Sequence, residues 1–189
     1  MALHISSALA VSARLHPLLR FCFHNTCPEM ENASGLQRQL ASMKKNLFDQ
    51  GYLDEQFNQL EELQDESSPN FVEEVVTLFF RDSSRLMANI DQALEQCPRD
   101  FHRLHKLLHR LKGSASSIGA AKMKNECTSF GEFCSEENLE GCPRSFQKVK
   151  KEHTILRQKL ESYFQSLSLV PSQLLRQVGP VDKATPSCS

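Results

Sequence analysis

Three histidines and two lysines recur along one helical stretch of the chain, FHRLHKLLHRLKGSASSIGA at residues 101–120. On a helical wheel six of its apolar side chains fall within about 100° of arc, at Phe101, Leu104, Leu108, Leu111, Ala115 and Ile118. His109 points about 140° away from the centre of that stripe, so we expect its ring to be in solvent. An exposed imidazole is partly unprotonated near neutral pH, which makes His109 a candidate nucleophile for group transfer.

The wheel positions around His109 hold polar, cationic or small residues, namely His102, His105, Lys112, Gly113 and Ser116. Lys112 lies one turn away and places a positive charge where a phosphoryl group would be negative. Gly113 lowers helix stability by about 1 kcal/mol relative to alanine. Its missing side chain would let another protein's active site reach His109.

Two other readings of this stretch stay open. An ordinary solvated face, with a glycine that ends the helix near residue 113, has the same residue types. A zinc site of His102, His105 and His109 is the second, because i,i+3 and i,i+4 spacings place ligands on one face of a helix.

Helical periodicity continues from residue 35, and the alternation typical of strands is absent. The apolar stripes predict six helices, in residues 36–50, 53–66, 70–97, 101–120, 121–138 and 143–167. Short connections predict an all-α fold, an up-down antiparallel four-helix bundle with an N-terminal helical pair. Asn70 and Glu73 have the spacing of a capping box, and His153 falls inside the apolar stripe of the last helix, as a core histidine would.

The helical domain is expected at residues 35–168, with the bundle core at about 70–168. The first 28 residues contain two arginines and no acidic residue, as in a transit peptide, a short secretory segment or an upstream extension with Met30 as the working start. Residues 1–34 are therefore expected to be a disordered or targeting extension, and residues 169–189 a disordered C-terminal tail.

Composition argues against several classes of protein. The 189 residues carry a net charge of −1, so there is no general polycation to hold nucleic-acid phosphates. No apolar run approaches the roughly 18 to 20 residues that cross a bilayer, so no membrane span is predicted. The seven cysteines include no CxxC pair, which favours reduced thiols in an intracellular protein.

The segment HRLKGSASSIGA at residues 109–120 resembles the signature of plant histidine-containing phosphotransfer (HPt) proteins. LFDQGYLDEQF at 47–57 and KNECTSF at 124–130 are also similar to that family, and the likeness covers about residues 35–168. Within the family the chain is most similar to the subgroup of the fourth Arabidopsis member and its cereal relatives. Some of these are pseudo-HPt proteins that lack the acceptor histidine, whereas this chain keeps it as His109. It departs from the signature at Arg110, usually glutamine, and at Ala115, usually serine.

The resemblance implies a phosphorelay carrier. His109 would accept a phosphoryl group from the receiver aspartate of a hybrid histidine kinase and pass it to response regulators, in plants commonly within cytokinin signalling. Lys112 would stabilise the phosphoryl charge, and the residues that border its access would be Gly113, Ser116, His105 and Arg110. No cofactor is expected beyond Mg²⁺ on the receiver, and no autokinase or ATPase activity.

The family also implies a monomer in cytoplasm and nucleus, with receiver domains and response regulators as partners. The alternative is a pseudo-HPt-like competitor, which binds receivers but transfers poorly.

Overall fold

The computed structural model describes residues 28–169, with side chains from residue 35 onward. Within that range the chain forms six helices and no strand: α1 Pro28–Asp49, α2 Glu55–Glu62, α3 Phe71–Gln96, α4 Phe101–Ser117, α5 Ala121–Ser135 and α6 Gly141–Ser168. The predicted all-α architecture is confirmed. In the part of the chain that is described, no helix is both long and apolar enough to cross a membrane.

Helices α3 to α6 form the bundle, each packed on the next, with α3 also against α6. Two contacts fix the antiparallel direction of α3 and α6. Ser83 faces His153, and Asp91 accepts from the Lys150 ammonium at 2.8 Å, so rising numbers in one helix meet falling numbers in the other. The connections between successive bundle helices are short, which forces each helix to reverse.

The core lies on the predicted stripes. In α4 the buried positions are Leu104, Leu108, Leu111 and Ala115, and in α5 they are Met123, Cys127, Phe130 and Cys134. The Phe130 and Phe146 rings, with centroids 5.4 Å apart, join α5 to α6 at the bundle centre. Because these stripes are buried, the rotation of each helix about its own axis is fixed, and so is the face that it turns to solvent.

The helical pair α1 and α2 is attached to α6. Lys44, which is buried, forms a salt bridge with Glu61, and this bond joins the two helices of the pair. The Lys159 ammonium donates to the Gln50 amide oxygen at 3.1 Å and ties the end of α1 to α6. The pair therefore covers one side of the bundle, as the sequence predicted.

Two local expectations were wrong. Helix α1 begins at Pro28, well before its apolar stripe starts at Leu36, because proline at a first helical turn gives up only an N–H that the helix leaves unpaired. The Asn70 side chain makes no capping hydrogen bond. Instead the Gln64 side-chain oxygen accepts from the Val72 N–H at 3.2 Å. Expectations on residues 1–27 and 170–189 fall outside the described residues and stay predictions.

Candidate functional site

Helix α4 holds His109 at its solvent side. Leu104, Leu111 and Ala115 are each fully buried on the opposite side, so α4 cannot roll to hide the ring without exposing them. His109 is exposed, as are His102 and its neighbour Arg110. The predicted accessibility of the candidate acceptor is therefore confirmed, and the accessible ring stands on a rigid element rather than on a loop.

The predicted neighbours of His109 divide by exposure. His105 and Gly113 are exposed, whereas Lys112 and Ser116 are half-buried beside it. Helix α4 continues to Ser117, so Gly113 does not end the helix. A Cβ atom built at Gly113 would have no other atom within 4 Å. Packing within the chain therefore does not require a glycine at this position. Its missing side chain leaves open space one turn beyond His109.

The two departures from the family signature lie in different places. Arg110 is exposed on α4, where a partner could touch it. Ala115 has 0% of its surface exposed and belongs to the core. A serine there would need a buried hydrogen-bond partner, which alanine does not. Only Arg110 therefore changes the surface around the histidine.

The end of the signature has a structural task. Gly119 adopts φ +70°, and a Cβ there would lie 2.6 Å from the backbone nitrogen of Phe57. Its carbonyl accepts from the Asp54 N–H at 2.9 Å, and Leu53 pairs with Ala120 in an isolated antiparallel bridge. These contacts dock the α4–α5 turn onto the start of α2. Residues 118–120 thus help to position α4.

A groove of about 400 Å³ opens between α4 and α5, and His109 lies on its wall. Its α4 side is formed by His105, His109 and Lys112, its floor by Leu108 and Cys127, and its α5 side by Thr128, Gly131, Glu132, Ser135 and Glu136. The α5 side was not predicted from the sequence. The available signal was weak: these residues flank the inward positions Cys127 and Cys134 on the α5 wheel.

His153 provides the contrast with His109. Its ring is 5% exposed, lies 2.8 Å from the Ser83 hydroxyl, and packs edge-on against Phe80 with centroids 5.3 Å apart. Burial and, to a smaller extent, the nearby Arg157 charge together lower the pKa of His153 from 6.5 to about 4. The prediction that His153 is a core histidine is confirmed.

The zinc hypothesis finds no support. Within the described residues, no group of three His, Cys, Asp or Glu side chains is placed to hold a metal ion. His102, His105 and His109 therefore do not form such a group. The four described cysteines, Cys97, Cys127, Cys134 and Cys142, are free thiols. Three of them are buried, where apolar surroundings leave a thiol unreactive.

An exposed histidine in the middle of an antiparallel helical bundle defines a recognisable class of protein, and the comparisons agree. Residues 74–165 match the Hpt domain family. The chain is 66% identical over 154 residues to pseudo histidine-containing phosphotransfer protein 2 of Oryza sativa subsp. japonica, covering 82% of this chain and 97% of that one. It is 62% identical over 117 residues to histidine-containing phosphotransfer protein 4 of Arabidopsis thaliana, covering 62% and 92%.

Solved structures agree with the fold. The crystal structure of a histidine-containing phosphotransfer protein from Medicago truncatula superposes with a TM-score of 0.66 at 42% identity, covering 77% of this chain and 96% of that one. The chain belongs to the plant histidine-containing phosphotransfer family.

Proposed function

We propose that this chain is a phosphorelay carrier of two-component signalling in which His109 receives and returns the phosphoryl group. The observation that carries the proposal is the exposed ring of His109 on a rigid helix, with Lys112 on the same groove wall and a bare Gly113 one turn on. Membership of the family supplies the class of reaction.

The transfer step balances without a cofactor on this chain. The unprotonated ring nitrogen of His109 attacks phosphorus, an N–P bond forms, and the P–O bond to the receiver aspartate breaks, so that its electron pair leaves with the carboxylate. The reverse sequence delivers the group to a response regulator. Lys112, on the same groove wall as His109, would offset the phosphoryl charge. The receiver would supply Mg²⁺, and this chain a positioned nucleophile.

The finer assignments are proposals too. We assign the chain to the subgroup that contains Arabidopsis protein 4, because it is similar to that protein. Within this subgroup we propose that the chain retains its acceptor histidine, as His109. We also propose action as a monomer, in cytokinin signalling, in cytoplasm and nucleus, without kinase or ATPase activity. Gel filtration and a tagged copy in plant cells test the first and third of these.

A second function has a specific observation behind it. Rice relatives that are 66% and 64% identical to this chain are named pseudo histidine-containing phosphotransfer proteins, and Arg110 alters the surface next to His109. A chain of this kind could occupy receivers without carrying phosphate. Because Ala115 is buried, Arg110 is the only one of the two signature departures that could produce such a change at the surface.

One experiment separates the two functions. A receiver domain labelled with ³²P on its aspartate is mixed with the wild-type chain, with His109→Gln and with His102→Gln, a matched control because His102 is also exposed on α4. A carrier gives label in the wild type and in His102→Gln, and none in His109→Gln. The label is acid-labile and base-stable, as a phosphoramidate is. A wild-type chain that binds the receiver and stays unlabelled would establish the competitor instead.

A further inference from the structure

The α4–α5 groove is continuous with His109, because His109 forms part of its wall. Any receiver that brings an aspartyl phosphate to His109 must therefore lie over the groove mouth as well. What the receiver places there is constrained by the groove's own shape and charge. This inference rests on the proposed function and concerns the partner's chemistry at the same site.

The groove floor is apolar and its α5 wall is low. Leu108 and Cys127 form the floor and are both buried. Gly131 lies on α5 beside them, although glycine lowers helix stability in an interior position. A Cβ built there would come within 3.1 Å of a terminal methyl carbon of Leu108, tighter than an ordinary contact. Gly131 therefore lets α5 approach α4 closely and adds no side chain to the groove beside Leu108.

The two walls carry opposite charge. Lys112, His105 and His109 lie on the α4 side, whereas Glu132 and Glu136 lie one turn apart on the α5 side. Both glutamates are exposed, and neither carboxylate takes part in a salt bridge among residues 35–169. By contrast, the exposed carboxylates of Glu140 and Glu161 form salt bridges with arginines.

We propose that the groove receives a lysine or arginine side chain of the receiver. Its aliphatic stem lies along Leu108 and the backbone of Gly131, and its cation meets Glu132 and Glu136. The phosphoryl group then approaches from the opposite, cationic wall at His109 and Lys112. An acidic partner side chain would be repelled by the α5 wall, and an apolar one would gain nothing from the two exposed carboxylates. The asymmetry of charge thus sets the orientation of the docked receiver.

The test uses full-length chain and a recombinant receiver domain from a rice hybrid histidine kinase, phosphorylated with acetyl phosphate. Transfer rates are measured against receiver concentration for wild type, for Glu132→Gln/Glu136→Gln and for Gly131→Leu, which adds a side chain to the groove. The matched control is Glu62→Gln/Glu95→Gln, which removes two exposed, unpaired carboxylates on α2 and α3. The receiver concentration at half-maximal rate should rise three- to tenfold in both groove variants and stay within twofold of wild type in the control.

The maximal rate should stay within about twofold in the glutamine variant, since the reacting groups are intact. The dissociation constant of the unphosphorylated receiver is measured in parallel in a His109→Gln background, where no transfer can occur. A loss of affinity with the glutamine pair that disappears in 0.5 M salt supports the proposal.

The possible outcomes distinguish the carrier function from the docking of a cationic side chain in the groove. If the glutamine pair has no effect, the cationic assignment is overturned whatever Gly131→Leu does, because a side chain at Gly131 also presses on Leu108. Wild-type transfer with unchanged behaviour of both groove variants overturns the groove docking alone. A wild-type chain that takes no label, yet binds the receiver through Glu132 and Glu136, refutes the carrier function and leaves the docking intact. Absence of both transfer and binding overturns both.

Discussion

The Ser83 hydroxyl and the His153 ring form a buried hydrogen bond of 2.8 Å between α3 and α6. The same hydroxyl donates to the Phe79 carbonyl at 2.6 Å, so it is left as the acceptor for the N–H at Nε2 of His153. This arrangement suits a neutral imidazole, because a second proton on the ring would add an uncompensated charge beside the buried rings of Phe79 and Phe80. One histidine of the chain is therefore held neutral in the core while another stands in solvent.

Acidification should destabilise the fold through His153. Its pKa is about 4 in the folded chain and about 6.5 when unfolded. Between these pH values only the unfolded chain binds the extra proton, so the free energy of unfolding decreases as the pH is lowered. The stability that neutral His153 contributes is fully present above pH 6.5. About 2 kcal/mol of it is lost when the pH is lowered from 7.5 to 5. Chemical denaturation at the two pH values measures it. His153→Gln, which keeps a polar partner for Ser83, should lose about 2 kcal/mol less over the same interval; an equal loss would contradict the assignment.

Gly113 should be a position where stability and function diverge. Because a Cβ there meets nothing, Gly113→Ala should raise the free energy of unfolding by about 0.5 to 1 kcal/mol through helix propensity. Gly113→Leu should be at least as stable as the wild type yet transfer phosphate at least tenfold more slowly, because its side chain stands over the approach to His109. Gln158→Leu, an exposed change on α6, serves as the control and should transfer normally. Normal transfer by Gly113→Leu would remove the access argument.

The two glycines with positive φ should respond differently to alanine. Gly51 at φ +69° has open space around a built Cβ, whereas Gly119 at φ +70° does not. Gly51→Ala should therefore lose only the cost of the left-handed conformation, about 1 to 2 kcal/mol. Gly119→Ala must in addition displace the backbone of Phe57 and should lose at least about 2 kcal/mol more. Similar denaturation midpoints for the two variants would show that the close packing of the α4–α5 turn on α2 carries no weight.

How far the sequence predicts this site depends on which helix is considered. The face of α4 followed from periodicity, because Leu104, Leu111 and Ala115 alone fix which side is buried. The α5 wall did not, because its distance from His109 depends on how closely α5 approaches Leu108 at Gly131, a packing detail between two helices. The capping box failed for a related reason. The Asn70 side chain makes no cap bond, and Gln64, eight residues upstream of Val72, accepts from the Val72 N–H in the same first turn of α3.

Thiol reactivity should follow burial, and this can be measured cysteine by cysteine. Burial raises the pKa of Cys127 and of Cys134 to about 12 and also raises that of Cys142, whose sulfur lies 3.6 Å from that of Cys134. Cys97 is exposed. Since the thiolate is the reactive form, iodoacetamide at pH 8 should modify Cys97 at least about a hundredfold faster than the other three. Peptide mass mapping distinguishes the seven cysteines of the chain, and labelling of Cys97, Cys127, Cys134 and Cys142 alike in guanidinium is the control. Fast labelling of Cys134 and Cys142 in the native chain would mean that the α5–α6 turn opens, which would also loosen the α5 wall of the groove beside His109.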